Sequence, residues 1–110
     1  MIDWNRLKEL REEVGPDDFD EVVALFLEEV EAVIDRLRTH PDPPGLEDDL
    51  HFLKGSALSL GFRQFSALCQ IGENDAAKGN AACVDLNEIV ICYDTSKAVF
   101  LANLKRQIAA

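Results

Sequence analysis

Apolar residues recur at intervals of three and four through almost the whole chain, and this spacing constrains the fold more than any other feature. Phe19, Val22, Val23, Phe26, Val30, Val33, Ile34 and Leu37 trace one side of a helix. A helix of 3.6 residues per turn gathers such positions into a stripe, whereas a half-buried strand needs alternation at two. Glu28, Glu29, Glu31 and Asp35 fall largely on the opposite side and read as a solvated acidic face. Ahead of this segment, Asp3 is placed to cap a short helix from Trp4 to about Val14, which Gly15-Pro16 stops. Asp17 or Asp18 then opens the longer helix. Thr39-His40-Pro41-Asp42-Pro43-Pro44-Gly45 cannot stay helical, and its length suits a connection between helices of one domain. Three more helices are predicted: Leu46 to about Leu60 closed by Gly61, about Arg63 to Lys78 closed by Gly79-Asn80, and about Val84 to Ile108. Ile89-Val90-Ile91 is β-branched, but Leu86, Ile89, Tyr93, Phe100, Leu104 and Ile108 keep helical spacing and no second strand is available to pair with it. The expected fold is all-α: an antiparallel up-down-up-down four-helix bundle with a short additional N-terminal helix, forming a single domain over residues 1–110.

A chain of 110 residues is about one domain and buries roughly two-thirds of its unfolded surface. Eleven Lys and Arg against 21 Asp and Glu leave a net charge of −10, which repels phosphate backbones and argues against nucleic-acid binding. No apolar run approaches the roughly 20 residues of a membrane span, and Met1-Ile2-Asp3-Trp4 does not open a secretory signal, so a soluble, cytoplasmic protein is expected. Cys69, Cys83 and Cys92 are odd in number and widely spaced. They fit neither a disulfide framework nor a zinc site, and their apolar neighbours make them small buried hydrophobes in a reducing compartment. No metal site is expected, and His40, between a threonine and a proline, has no partner in view.

The third helix carries the chemistry. At about 100° per residue, Leu46, Leu50, Leu53, Ala57 and Leu60 form one narrow seam. His51 lies roughly 140° from the centre of that seam and points to water. Glu47, Lys54, Gly55 and Leu58 share its face. A mid-helix glycine costs about 1 kcal/mol relative to alanine, so Gly55 needs a reason. One reason is the close approach of something large beside His51; the competing one is packing against a neighbouring helix. Lys54, one turn from His51, offers a cation to an anion held on the imidazole. Leu58 adds an outward apolar contact, and Phe52 is a candidate rim contact. Core packing is the better reading for Trp4.

His51-Phe52-Leu53-Lys54-Gly55-Ser56-Ala57, followed by Leu60-Gly61, closely resembles the phosphoacceptor helix of histidine-containing phosphotransfer (HPt) domains. The family pattern is roughly H-x-x-K-G-[SA]-[SA], with a Gly ending the helix six residues after the first. Cys69 falls where many members carry a cysteine. The motif covers about a tenth of the chain, while the chain's size, acidity and helix count agree with the family throughout. At the fourth-helix position where related domains often hold a Gln near the imidazole, this chain has Glu73, with Gln70 one turn earlier. A carboxylate there is suited to orient the ring N–H but repels a phosphoryl group.

The resemblance implies that His51 is a phosphoacceptor carrying a phosphoryl group between receiver-domain aspartates, or from a hybrid sensor kinase to a response regulator. Lys54 would then stabilise the phosphoryl oxygens, and Gly55 would admit the partner's acidic pocket, with Phe52, Leu58 and Glu47 at the contact. It also implies a monomer without a cofactor of its own, because the Mg²⁺ sits on the partner receiver domain. The chemistry suits these residues, since a neutral imidazole is a good nucleophile near pH 7 and phosphoryl transfer relies on positioning and charge neutralisation. Neither G-x-x-x-x-G-K-[ST] nor G-x-G-x-x-G is present, so no ATP site and no autokinase activity are expected. Two other readings compete. One is a helical docking module that binds a receiver or kinase without transferring anything; the other is an oligomerising bundle with the His51 face packed against a second copy.

Overall fold

The computed structural model describes residues 2–108, which form five α-helices joined by turns and two 3₁₀ segments. Helix α1 spans Trp4–Val14, α2 Phe19–Thr39, α3 Leu46–Leu60, α4 Arg63–Ala77 and α5 Leu86–Ile108. The Asp3 carboxylate accepts from the Arg6 backbone N–H at 3.2 Å, the cap expected of it. The proline-rich break becomes a 3₁₀ turn at Pro43–Gly45, and α3 follows with Glu47, Asp48 and Asp49 in its first turn. Carboxylates there oppose the positive end of the helix dipole. The last helix begins at Leu86 and not at Val84, because Val84 is extended and the Asp85 carboxylate accepts from the Glu88 N–H at 3.0 Å. A second 3₁₀ turn, Ala81–Cys83, fills the interval after α4.

Helix α2 packs on α3, α3 on α4, α4 on α5, and α5 returns to α2; α1 lies against α2, α3 and α5. The seam of α3 is buried as its periodicity predicts, with Leu50 and Leu53 at 0% exposure. Removing a leucine of this kind from water contributes about 1.5–3 kcal/mol. Phe62, Phe65, Tyr93 and Phe100 supply the bulk of the aromatic packing, and Trp4 stacks on Phe100 at 6.0 Å between ring centroids. Trp4 is therefore a packing residue, half-buried at the edge of the core.

The α3–α4 corner is fixed twice. Gly61 takes a left-handed φ of 75°, and a Cβ on it would lie 2.6 Å from the Asp3 carbonyl oxygen. The Asp3 N–H donates to the Gly61 carbonyl at 2.7 Å, so the N-terminal segment is laced to this corner. Gly72 on α4 has a different purpose: its missing side chain makes room for Leu50, Val84 and Ile89.

Three readings of the sequence need correction. Cys69 and Cys92 are buried, but Cys83 is exposed on the 3₁₀ turn, where no helical face carries it inward. Glu31 is not simply solvated: it accepts from Lys97 at 2.6 Å and from the Tyr93 hydroxyl at 3.1 Å, tying α2 to α5. Phe26 is only half-buried, because its place on α2 is beside His51. Arg36–Asp49 and Arg38–Asp94, each at 2.6 Å, add ties from α2 to α3 and from α2 to α5.

Candidate functional site

Five residues after its start, α3 presents His51 to solvent with 69% of the side chain exposed. The ring is not free to turn. Its Nδ1 lies 2.8 Å from Glu73 Oε2 on α4. An ionised carboxylate only accepts, so Nδ1 carries the proton and donates it. In the neutral ring the lone pair is then on Nε2, which has no hydrogen-bond partner among the described residues.

The other Glu73 oxygen, Oε1, lies 2.8 Å from the Lys54 ammonium. This is a close ion contact on an oxygen that is itself buried. The directed bond from Lys54 goes to Gln70 Oε1 at 3.0 Å, and the Gln70 amide in turn donates to Asn74 at 2.9 Å. Contact with Lys54, and secondarily with His51, holds the Glu73 carboxyl below the usual carboxylate range, against burial that pushes it up. Lys54 is consequently not the open cation that the helical wheel suggests: its side chain is 21% exposed and drawn toward α4.

On the other side of the ring a shallow groove of about 310 Å³ is lined by Phe26, His51, Phe52, Gly55, Ser56 and Ser59. A Cβ built on Gly55 meets nothing within 4 Å. This removes the packing explanation for the glycine and leaves a strip of open backbone one turn from the imidazole. Leu58 is 57% exposed, Phe52 is 38% exposed, and Glu47 lies exposed one turn before His51. Leu25 on α2 is also a large exposed apolar side chain. The α3 residues singled out from the sequence thus stand together on one side of the molecule, joined by Phe26 and Gln70, which the sequence did not single out as site residues. Phe26 was hidden by fitting the apolar stripe of α2, and no local signal pairs Gln70 with Lys54.

Cys69 is fully buried on α4, and burial first, with Cys92 and Glu73 adding to it, pushes its thiol up to about 12. It packs and does not react as a thiolate near neutral pH. A larger apolar groove, about 590 Å³, opens between α2 and the end of α5 and contains neither histidine nor cysteine. Among the described residues no group of three His, Cys, Asp or Glu side chains is placed to hold a metal. No described helix is long and apolar enough to cross a membrane.

A family model for the Hpt domain matches residues 21–99, which take in α3, α4 and most of α2 and α5. The chain belongs to the Hpt family. Histidine phosphotransfer in a phosphorelay is accordingly its role, as a phosphoryl carrier and not as a conventional enzyme. Among curated proteins, this Hpt chain is similar to histidine-containing phosphotransfer protein 2 of Arabidopsis thaliana. The two are 31% identical over 115 aligned positions, covering 96% of this chain and 74% of the relative. No solved structure gives a significant match.

Proposed function

We propose that His51 is the phosphoacceptor and that its Nε2 attacks phosphorus. The observation that carries this reading is the short Nδ1–Glu73 contact on a ring that is otherwise open to solvent. That contact selects the tautomer whose nucleophilic nitrogen faces outward, and it spares the incoming partner the task of aligning the ring. Phosphorus arrives from a receiver aspartyl phosphate or from a hybrid sensor kinase and passes in line through a loose transition state, which needs placement and positive charge. Lys54 stabilises the phosphoryl oxygens by offsetting the Glu73 carboxylate beside them, while Gly55 lets the partner's acidic pocket close over the ring.

The partner surface comprises Phe52, Leu58 and Glu47 around His51, bordered by Phe26 from α2. Its centre is apolar and its edge acidic, which suits a receiver domain and not a nucleic acid. The Mg²⁺ of the reaction belongs to that receiver. The protein works as a cytoplasmic monomer of one domain over residues 1–110, built as an antiparallel up-down-up-down bundle of α2 to α5 with α1 laid against it. The cyclic packing of α2, α3, α4 and α5 supports that architecture. ATP alone does not phosphorylate it, since the chain carries no phosphate-binding glycine loop.

The deciding experiment follows labelled phosphoryl from a phosphorylated receiver domain to the pure protein and to its His51→Ala variant. Acid-labile label should appear on the wild type and be absent from the variant. Equal labelling of both would overturn the assignment, as would incorporation from ATP in the absence of a kinase. Binding of the receiver without any transfer would instead make the protein a docking module.

A further inference from the structure

We propose that Glu73 keeps the proton on Nδ1 of the phosphorylated His51 ring, so that the phosphoryl group leaves from an imidazolium and transfer depends little on pH across the neutral range. This deepens the reading of His51 as phosphoacceptor and rests on it. Glu73 is a positioning residue here: it touches the ring and not the phosphorus.

The bond changes balance without releasing a proton. The Nε2 lone pair forms the N–P bond as the donor's P–O bond breaks, and the donor aspartate departs as a carboxylate. Nδ1 still holds its hydrogen, so the ring has become a cation. In forward transfer an acceptor aspartate oxygen bonds to phosphorus, the N–P electron pair returns to Nε2, and the ring is neutral again with Nδ1–H unchanged. If Nδ1 lost its proton to water between the two steps, the leaving group would be an imidazolate, a far poorer one. The phosphoryl group would then stay on the ring much longer.

The surroundings decide whether the proton stays. Glu73 Oε2 is 2.8 Å from Nδ1, on a side chain only 17% exposed, where a charge-assisted hydrogen bond is less diluted by water. Lys54 grips the other oxygen at 2.8 Å and is itself held by Gln70 at 3.0 Å, so the carboxylate cannot swing away. Repulsion between Glu73 and the phosphoryl oxygens works in the other direction, but the two effects differ in range. The phosphoryl group sits on the far edge of the ring and meets Glu73 and Lys54 as a compensated pair. Nδ1–H meets the carboxylate directly. The remaining charges near the ring come mainly from its own helix: Glu47 and Asp48 one turn before it, and Lys54 one turn after. From α4, Gln70 and Asn74 are neutral; α2 lines the groove with Phe26, with exposed Glu29 one turn along from it. Glu73 is therefore the charge in contact with the proton. A glutamine at the same place also accepts from Nδ1–H, but it carries no negative charge to retain a cation.

The test uses phosphoramidate to phosphorylate the intact wild type, Glu73→Gln and Glu73→Ala. Ring ¹⁵N shifts then report the Nδ1 proton, and ³¹P NMR follows phosphoryl loss from about pH 6 to 8.5. The wild type should keep its Nδ1 proton throughout and show a nearly flat rate. Both variants should lose the proton as pH rises and, near pH 8.5, release phosphate about 10-fold more slowly than wild type, converging within about 2-fold near pH 6. Parallel pH profiles, or an equal slowing at every pH, would overturn the inference while leaving His51 as phosphoacceptor. A wild type that takes up no acid-labile phosphoryl group on His51 would overturn both.

Discussion

At the scale of single residues, Glu73 links the His51 ring to the stability of the fold. Its folded-state carboxyl is depressed mainly by Lys54, so its contribution is fully present above the ordinary carboxylate value near pH 4.3. The contribution is lost as pH falls through the depressed value. Chemical denaturation of the wild type and of Glu73→Gln should therefore differ most above about pH 5, by about 1 kcal/mol or less, because the site faces solvent on one side. The gap should narrow steadily in acid; a gap that widens there would show that Lys54 does not govern this carboxylate. Gln70 and Asn74 extend the same network along α4 and hold the lysine where the ring needs it.

At the scale of helices, two glycines on neighbouring elements make a controlled comparison. Gly55→Ala on α3 adds a methyl group where nothing lies within 4 Å, so helix propensity should raise stability by about 0.5–1 kcal/mol. The same change should slow transfer from a receiver, because the methyl group occupies the partner's approach. Gly72→Ala on α4 forces a Cβ to 2.9 Å from Leu50 and 3.2 Å from Val84 and should cost about 1–3 kcal/mol. Thermal melts of both variants, with transfer kinetics for Gly55→Ala, check the pair; a destabilised Gly55→Ala would return that glycine to a packing role. The sequence left Gly55 open between two readings and gave no sign of what Gly72 makes room for. Helical arithmetic on α3 placed His51 outside and Leu50, Leu53 and Ala57 inside, because a straight helix has one geometry. It could not bring α4 to the ring. How α3 meets α4, with Leu50 against Gly72, is a tertiary outcome that one helix does not encode, so Lys54 reads from the sequence as an open cation when it is bound to Glu73 and Gln70. Phe26 reads from the sequence as one more member of the α2 stripe, and only the packing of α2 on α3 puts it in the groove with His51. Asp85 as the cap of α5 was legible in principle, three residues before Glu88, but the apolar Val84 drew the boundary earlier.

For the whole molecule, charge and shape bear on association. The described residues span 45 × 22 × 20 Å, and a net charge of −10 on so small a body makes identical copies repel, most strongly at low salt. Sedimentation should give a monomer, with no concentration-dependent rise in mass; a stable dimer that shields Leu58 would place the His51 face between copies instead. The proposed site draws on two helices: His51 and Lys54 on α3, with Glu73 and Gln70 on α4 in contact with them. The groove wall beside them, Phe26, belongs to α2, which is tied to α3 through Arg36–Asp49 and to α5 through Arg38–Asp94 and Glu31–Lys97. The contact surface proposed above thus draws on α2 as well as on α3, the helix that bears His51. On that proposal, changing the exposed positions of α2 should alter which recipient the carrier meets while the parcel on His51 stays the same.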